Sequence, residues 1–199
     1  IGLLGAKALD TSVLKGTHMI NMDSEEEGYL WISCAGGLSG TSRIPVEYQE
    51  MEGVVTEVLI DGLNGGHSGA EIDKNRANAN KLMGLFLYEL GQKIGYSIKD
   101  LSGGTKDNAI TRSCKAAIVT DAEDVEEVKA VAEKLQAELR AEYAGSDEGI
   151  TISVTPGKEE TVEALSMVSK EKVVFYLVHV PFGIEKMSGE IEGLVETSS

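Results

Sequence analysis

The sequence predicts an α+β fold, an antiparallel sheet with helices packed on one face, and three features of its 199 residues carry that reading. β-prone segments arrive in runs, whereas a doubly wound parallel sheet alternates single strands with helices. Two stretches repeat apolar residues every three or four positions, the spacing of a helix with one buried face. Glycine is abundant, 23 residues against 3 prolines, so the chain can turn sharply without the Pro-rich composition of a linker.

Each element follows from its local pattern. Thr17-His-Met-Ile-Asn-Met-Asp23 reads as a buried strand that ends in the acidic cluster Asp23-Ser-Glu-Glu-Glu27. Tyr29–Cys34, Ser42–Tyr48 and Val54–Ile60 read as three antiparallel strands, with Pro45 pushing the second toward a sheet edge. The Gly-rich break Gly62–Gly69 leads into a helix whose Ala79, Leu82, Met83, Phe86, Leu87 and Leu90 share a face and which ends near Gly91. Tyr96–Ile98, Asn108–Arg112 and Lys115–Thr120 are short strand-like segments. Asp121 or Asp124 caps a second helix, with Val125, Val128, Ala132, Leu135, Leu139 and Tyr143 on one stripe and Gly145 as its stop. Gly149–Val154 is a strand stopped by Pro156-Gly157. Ser169–His179 could be a strand by its β-branched residues, but Ser169 reads as a cap and Pro181 as a stop, so a helix is expected.

Composition bounds the partners. Hydrophobic residues at 42% and charged residues at 26% are those of a globular chain, with length enough for one large domain or two small ones. The net charge of −15 excludes binding to a phosphate backbone, so no nucleic-acid partner is expected. No run approaches the roughly 18 apolar residues of a membrane-spanning helix. Cys34 and Cys114 have no C-x-x-C spacing, which fits a reducing, cytoplasmic location.

Three constellations could carry chemistry. A carboxylate such as Asp23 at a strand end offers a hard oxygen donor to a cation, though the same residues also make a solvated acidic turn. In Gly65-Gly-His-Ser-Gly69 the glycines let the backbone hold His67 outward, exposed and without a fixed partner, as a donor to an oxyanion or as a surface histidine in a turn. The phosphate-loop patterns G-x-x-x-x-G-K-[ST] and G-x-G-x-x-G are both absent. In Gly103–Arg112, Asn108 and Arg112 supply amide and guanidinium donors suited to a substrate carboxylate.

Together, Ile1-Gly-Leu-Leu-Gly-Ala-Lys-Ala-Leu-Asp10, Met19–Gly28, Gly65–Gly69, Arg76-Ala-Asn-Ala-Asn-Lys-Leu82, Asn108–Arg112 and Met187-Ser188 with Gly193-Leu-Val-Glu-Thr-Ser198 resemble the aminoacyl-histidine dipeptidases, members of a co-catalytic zinc peptidase superfamily. The resemblance implies a catalytic domain with two zinc ions, interrupted by a lid domain that also forms a homodimer. It makes residues 1–26 the end of a catalytic domain, 27–189 the lid and 190–199 the return. It assigns Asp23 to one zinc, His67 to the substrate carbonyl in the partner subunit's site, and Asn108 and Arg112 to substrate. Thr111 stands where the family carries proline. The catalytic glutamates are expected before Ile1 and further ligands outside 1–199, so this segment alone is expected to be inactive and to hold zinc weakly. The implied activity is hydrolysis of Xaa-His dipeptides such as carnosine. The alternative is a dimerisation or peptide-binding module without hydrolytic chemistry.

Overall fold

A computed structural model of the chain describes residues 4–20, 22, 27–30 and 36–199, in two compact units that divide between Ser39 and Gly40. In the first unit, α1 (Leu4–Lys7) is followed by a 3-10 turn, Thr11–Val13, capped by Asp10, whose side chain accepts from the Ser12 amide. The strand expected over Thr17–Asp23 does not form across its described residues. Met19, Ile20 and Met22 are each more than four-fifths exposed, and with no strand among the described residues of this unit to pair with, the apolar run stays irregular. Asp23, the acidic residues through Glu26, and Trp31–Cys34 of the next expected strand lie outside the described residues; Tyr29 and Leu30 are not in a strand.

The second unit bears out the α+β expectation. Its sheet is built from β1 (Tyr48–Asp61), β3 (Ser97–Gly103), β5 (Cys114–Thr120) and β6 (Thr151–Leu165), in the order β3-β5-β1-β6 with every pairing antiparallel. A separate two-residue ladder joins β2 (Gly66–His67) to β4 (Ala109–Ile110). Val58, Ile60, Ile98, Ala116, Ile118 and Ile152 point to one face, and there they meet the apolar sides of the helices α2 (Ala79–Gly91), α3 (Val125–Glu142) and α4 (Met167–His179) in one core. On the opposite face Glu57 pairs with Lys115 at 2.5 Å, both roughly half exposed, as expected for a sheet covered on one side only.

Four expectations are corrected here. Ser42–Glu47 is not a strand, because Glu47 spends its amide on Ser169 Oγ (2.8 Å) and its carbonyl on the Ser166 amide (2.8 Å), so this segment docks on the α4 start and β1 begins only at Tyr48. β6 is not stopped by Pro156: the residue sits opposite Thr56 where the register shifts, and an edge strand with a bulge tolerates the missing N–H. The cap of α4 is Ser166, whose Oγ accepts from the Ser169 amide, and Ser169 lies within the first turn. At α3, Asp121 and Asp124 flank the entry, yet neither side chain makes a capping bond. A hairpin of β7 (Ile184–Met187) and β8 (Val195–Ser198) had no expectation attached to it.

All six residues expected on the buried face of the first long helix are buried in α2, whose start is capped by Asn78 accepting from the Asn80 amide at 3.0 Å. α2 and α4 come close at Gly84, where a Cβ would stand 2.6 Å from Leu177 Cβ of α4. Alanine would gain helix propensity there, but the overlap is the larger effect, so Gly84→Ala should lower stability by about 1–3 kcal/mol, read as a reduced urea midpoint at unchanged slope. A midpoint at or above that of the parent would mean that α4 yields freely.

Candidate functional site

The loop that leaves β1 is turned back by Gly65 (φ 64°) and Gly66 (φ 147°), backbone conformations that residues other than glycine rarely adopt. Space forbids a side chain as well: a Cβ at Gly65 would run into Arg112, and one at Gly66 would fall 2.7 Å from Glu71 Oε2 and closer still to Arg76. The turned chain then pairs with β4, placing Gly66 opposite Ile110 and His67 opposite Ala109. The Ser68 amide donates to the Asn108 carbonyl at 3.0 Å, and Arg112 Nε donates to the Leu63 carbonyl at 3.3 Å. One small ladder therefore brings together His67, Asn108 and Arg112, three of the four residues singled out in the sequence. The fourth, Asp23, lies outside the described residues.

His67 is exposed, but its ring is not idle. Nδ1 accepts from the Gly69 amide at 3.0 Å and from the Ala70 amide at 3.1 Å. An imidazole nitrogen that accepts two N–H bonds carries no proton, so the neutral ring keeps its proton on Nε2, which is left as its hydrogen-bond donor. Asn108 and Arg112 are exposed alongside, and among the described residues no carboxylate pairs with Arg112. The arrangement can donate hydrogen bonds to a carbonyl or an anion; it supplies no nucleophile.

Three further residues support the loop, none of which the sequence marked as a site residue. Glu71 Oε2 accepts from the His67 amide at 2.9 Å, while Oε1 meets Lys74 at 2.7 Å and Arg76 at 3.1 Å. Lys74, the His67 amide and the charge of Arg76 hold the Glu71 carboxyl down to about 2, so this cluster persists above the ordinary 4.5 and loosens as pH falls toward 2. Arg76 also donates to the Gly65 carbonyl. Asp147, fully buried, accepts from the Asn64 amide (2.6 Å) with one oxygen and from the Ala77 amide (2.8 Å) with the other, tying the loop before Gly65 to the segment before α2. The four-residue spacing of His67 and Glu71 was a signal available in the sequence; nothing local marks Asp147, whose partners lie 83 and 70 residues away.

Among the described residues no group of three or more His, Cys, Asp or Glu side chains could hold a metal ion. These residues do not assemble a zinc site.

Residues 60–147 match the peptidase dimerisation domain family. The chain is 33% identical over 199 residues to the cytosol non-specific dipeptidase of Escherichia coli K12, across 99% of this chain and 41% of that protein. It is also similar to the crystal structure of aminoacylhistidine dipeptidase from Vibrio alginolyticus, with a TM-score of 0.69 and 27% identity over 76% of this chain and 32% of that one. The chain thus spans less than half the length of either relative. The resemblance drawn from the sequence motifs is borne out, on a chain that covers part of those proteins.

Proposed function

From the peptidase dimerisation domain at residues 60–147, we propose that this chain is the lid and dimerisation part of a cytoplasmic, zinc-dependent dipeptidase that acts on unblocked dipeptides, the Xaa-His class such as carnosine among them. In this reading residues 27–189 are the lid, with 1–26 and 190–199 belonging to the catalytic domain, and the lid pairs two subunits. The observation that carries the proposal is the exposed His67 ring, whose Nδ1 accepts from two amides and so leaves Nε2 as the donor, on the ladder that also holds the segment from Asn108 to Arg112. A donor held in advance is what a developing oxyanion needs, because no reorganisation is left for the reaction to drive. Arg112 and the Asn108 amide suit the substrate's terminal carboxylate. Asp23 is proposed as one zinc ligand; the remaining ligands and the general base would come from sequence outside 1–199, and no step proposed for these residues passes through the metal.

The test compares the full-length protein with residues 1–199 alone. Full-length protein supplied with zinc should hydrolyse carnosine or another unblocked dipeptide and lose that activity to a chelator. Residues 1–199 should show no turnover and no submicromolar zinc site by calorimetry, since one carboxylate cannot replace three or four ligands. Sedimentation of the full-length protein should show a dimer at moderate ionic strength, where repulsion between like-charged subunits is screened beyond roughly 8 Å. Stoichiometric zinc binding by 1–199, or a full-length protein inert toward every unblocked dipeptide, overturns the proposal.

A further inference from the structure

One charged pair beside His67 has no part in the reaction proposed above. Glu71 holds the His67 peptide from both sides: its carboxylate accepts the His67 N–H at 2.9 Å, and its own amide donates to the His67 carbonyl at 3.1 Å. The other carboxylate oxygen is anchored by Arg76 and Lys74, and Arg76 reaches on to the carbonyl of Gly65, two residues before the histidine. Gly66, between them, has no side chain because a Cβ would occupy the space that Glu71 and Arg76 share. What remains free at His67 is the rotation of its side chain, and the Gly69 and Ala70 amides fix that by bonding Nδ1. Turning the ring over would present a carbon to both amides, so one orientation and one tautomer survive.

We propose that Glu71, braced by Arg76, is a positioning residue for His67: it holds the backbone so that the ring meets the Gly69 and Ala70 amides through Nδ1 and keeps Nε2–H as its donor. The proposal rests on the reading of His67 as a substrate-carbonyl donor. An exposed pair such as Glu71 with Lys74 has by itself little worth for stability. The bond to the His67 amide is different, since it is charge-assisted and fixes a residue whose orientation matters to chemistry. Glu71 touches no reacting atom in this scheme and acts only through His67.

Two measurements test it. In residues 1–199 with 15N-labelled histidine, ring nitrogen shifts at neutral pH should show the Nε2–H tautomer for His67, and Glu71→Ala should move them toward an average of both tautomers with thermal stability nearly unchanged. Glu71→Gln, which keeps an acceptor for the His67 amide, should hold the parent pattern more closely and serves if the alanine variant is poorly folded. In the full-length protein Glu71→Ala should lower kcat by roughly 10- to 100-fold, the scale of a misplaced catalytic group. The same change in a His67→Ala background should cost nothing more, because the group it positions is gone. Equal losses from Glu71→Ala in both backgrounds, or unchanged ring shifts in Glu71→Ala, overturn the positioning role. A His67→Ala protein with full activity instead overturns the reading of His67 on which the proposal rests, and the ring shifts still report on Glu71.

Discussion

Replacing His67 by alanine in the full-length protein should lower kcat by about 10²- to 10³-fold, the loss that follows removal of one oxyanion donor. The change falls on kcat more than on KM, because a carbonyl oxygen gains charge only as the peptide bond is attacked, and a donor aimed at it is worth most at that point. Folding should be nearly untouched. The side chain is exposed, and the Gly69 and Ala70 amides that it leaves free lie in an exposed loop where water can replace Nδ1. Zinc content should also stay constant, since no metal ligand is removed. Steady-state kinetics with unblocked dipeptides, together with metal analysis and a thermal melt, checks all three. Whether His67 serves the neighbouring subunit is decided by mixing His67→Ala subunits with subunits lacking the catalytic glutamate: one hybrid site then combines an intact glutamate with an intact His67, and activity should partly return. Hybrids that exchange subunits and stay inactive would confine His67 to its own subunit or to the turn.

The second large effect is on stability. Asp147→Ala should cost about 2–4 kcal/mol, because it takes a charge-assisted partner from the Asn64 amide and from the Ala77 amide, the second of which is buried away from water. Removing a buried carboxylate also relieves its own desolvation, which sets the upper end of that range. Asp147→Asn keeps one acceptor oxygen but turns an NH2 group toward the other amide, so roughly half of the loss should persist. Urea denaturation of residues 1–199 measures both, with a lowered midpoint at constant slope. A change below about 0.5 kcal/mol for the alanine variant would show that water satisfies both amides and that Asp147 is not a tie between loops.

The helices were the most legible part of the sequence, for a local reason. The α2 stripe from Ala79 to Leu90 and the α3 stripe from Val128 to Leu139 repeat at the helical period, and a helix satisfies its backbone within its own segment. Strand limits were less legible, since a strand's backbone partners come from elsewhere in the chain. Ser42–Glu47 alternates as a strand does, yet Ser166 and Ser169 take the Glu47 backbone groups. Pro156 looks like an end, yet as part of an edge strand it needs no N–H partner.

The candidate site divides along the same line. The sequence alone determined its residue types: His67 between glycines, Asn108 and Arg112 after a second pair of glycines, and a likeness to zinc dipeptidases spread along the chain. Only the tertiary structure decided that residues 66–67 and 109–110 form one ladder, that the His67 ring proton sits on Nε2, and that Glu71, Arg76 and Asp147 brace the loop. The reason is physical. Residue types set which groups can donate or accept, whereas the direction of a donor depends on which distant backbone groups fold against it, and no local pattern records those partners.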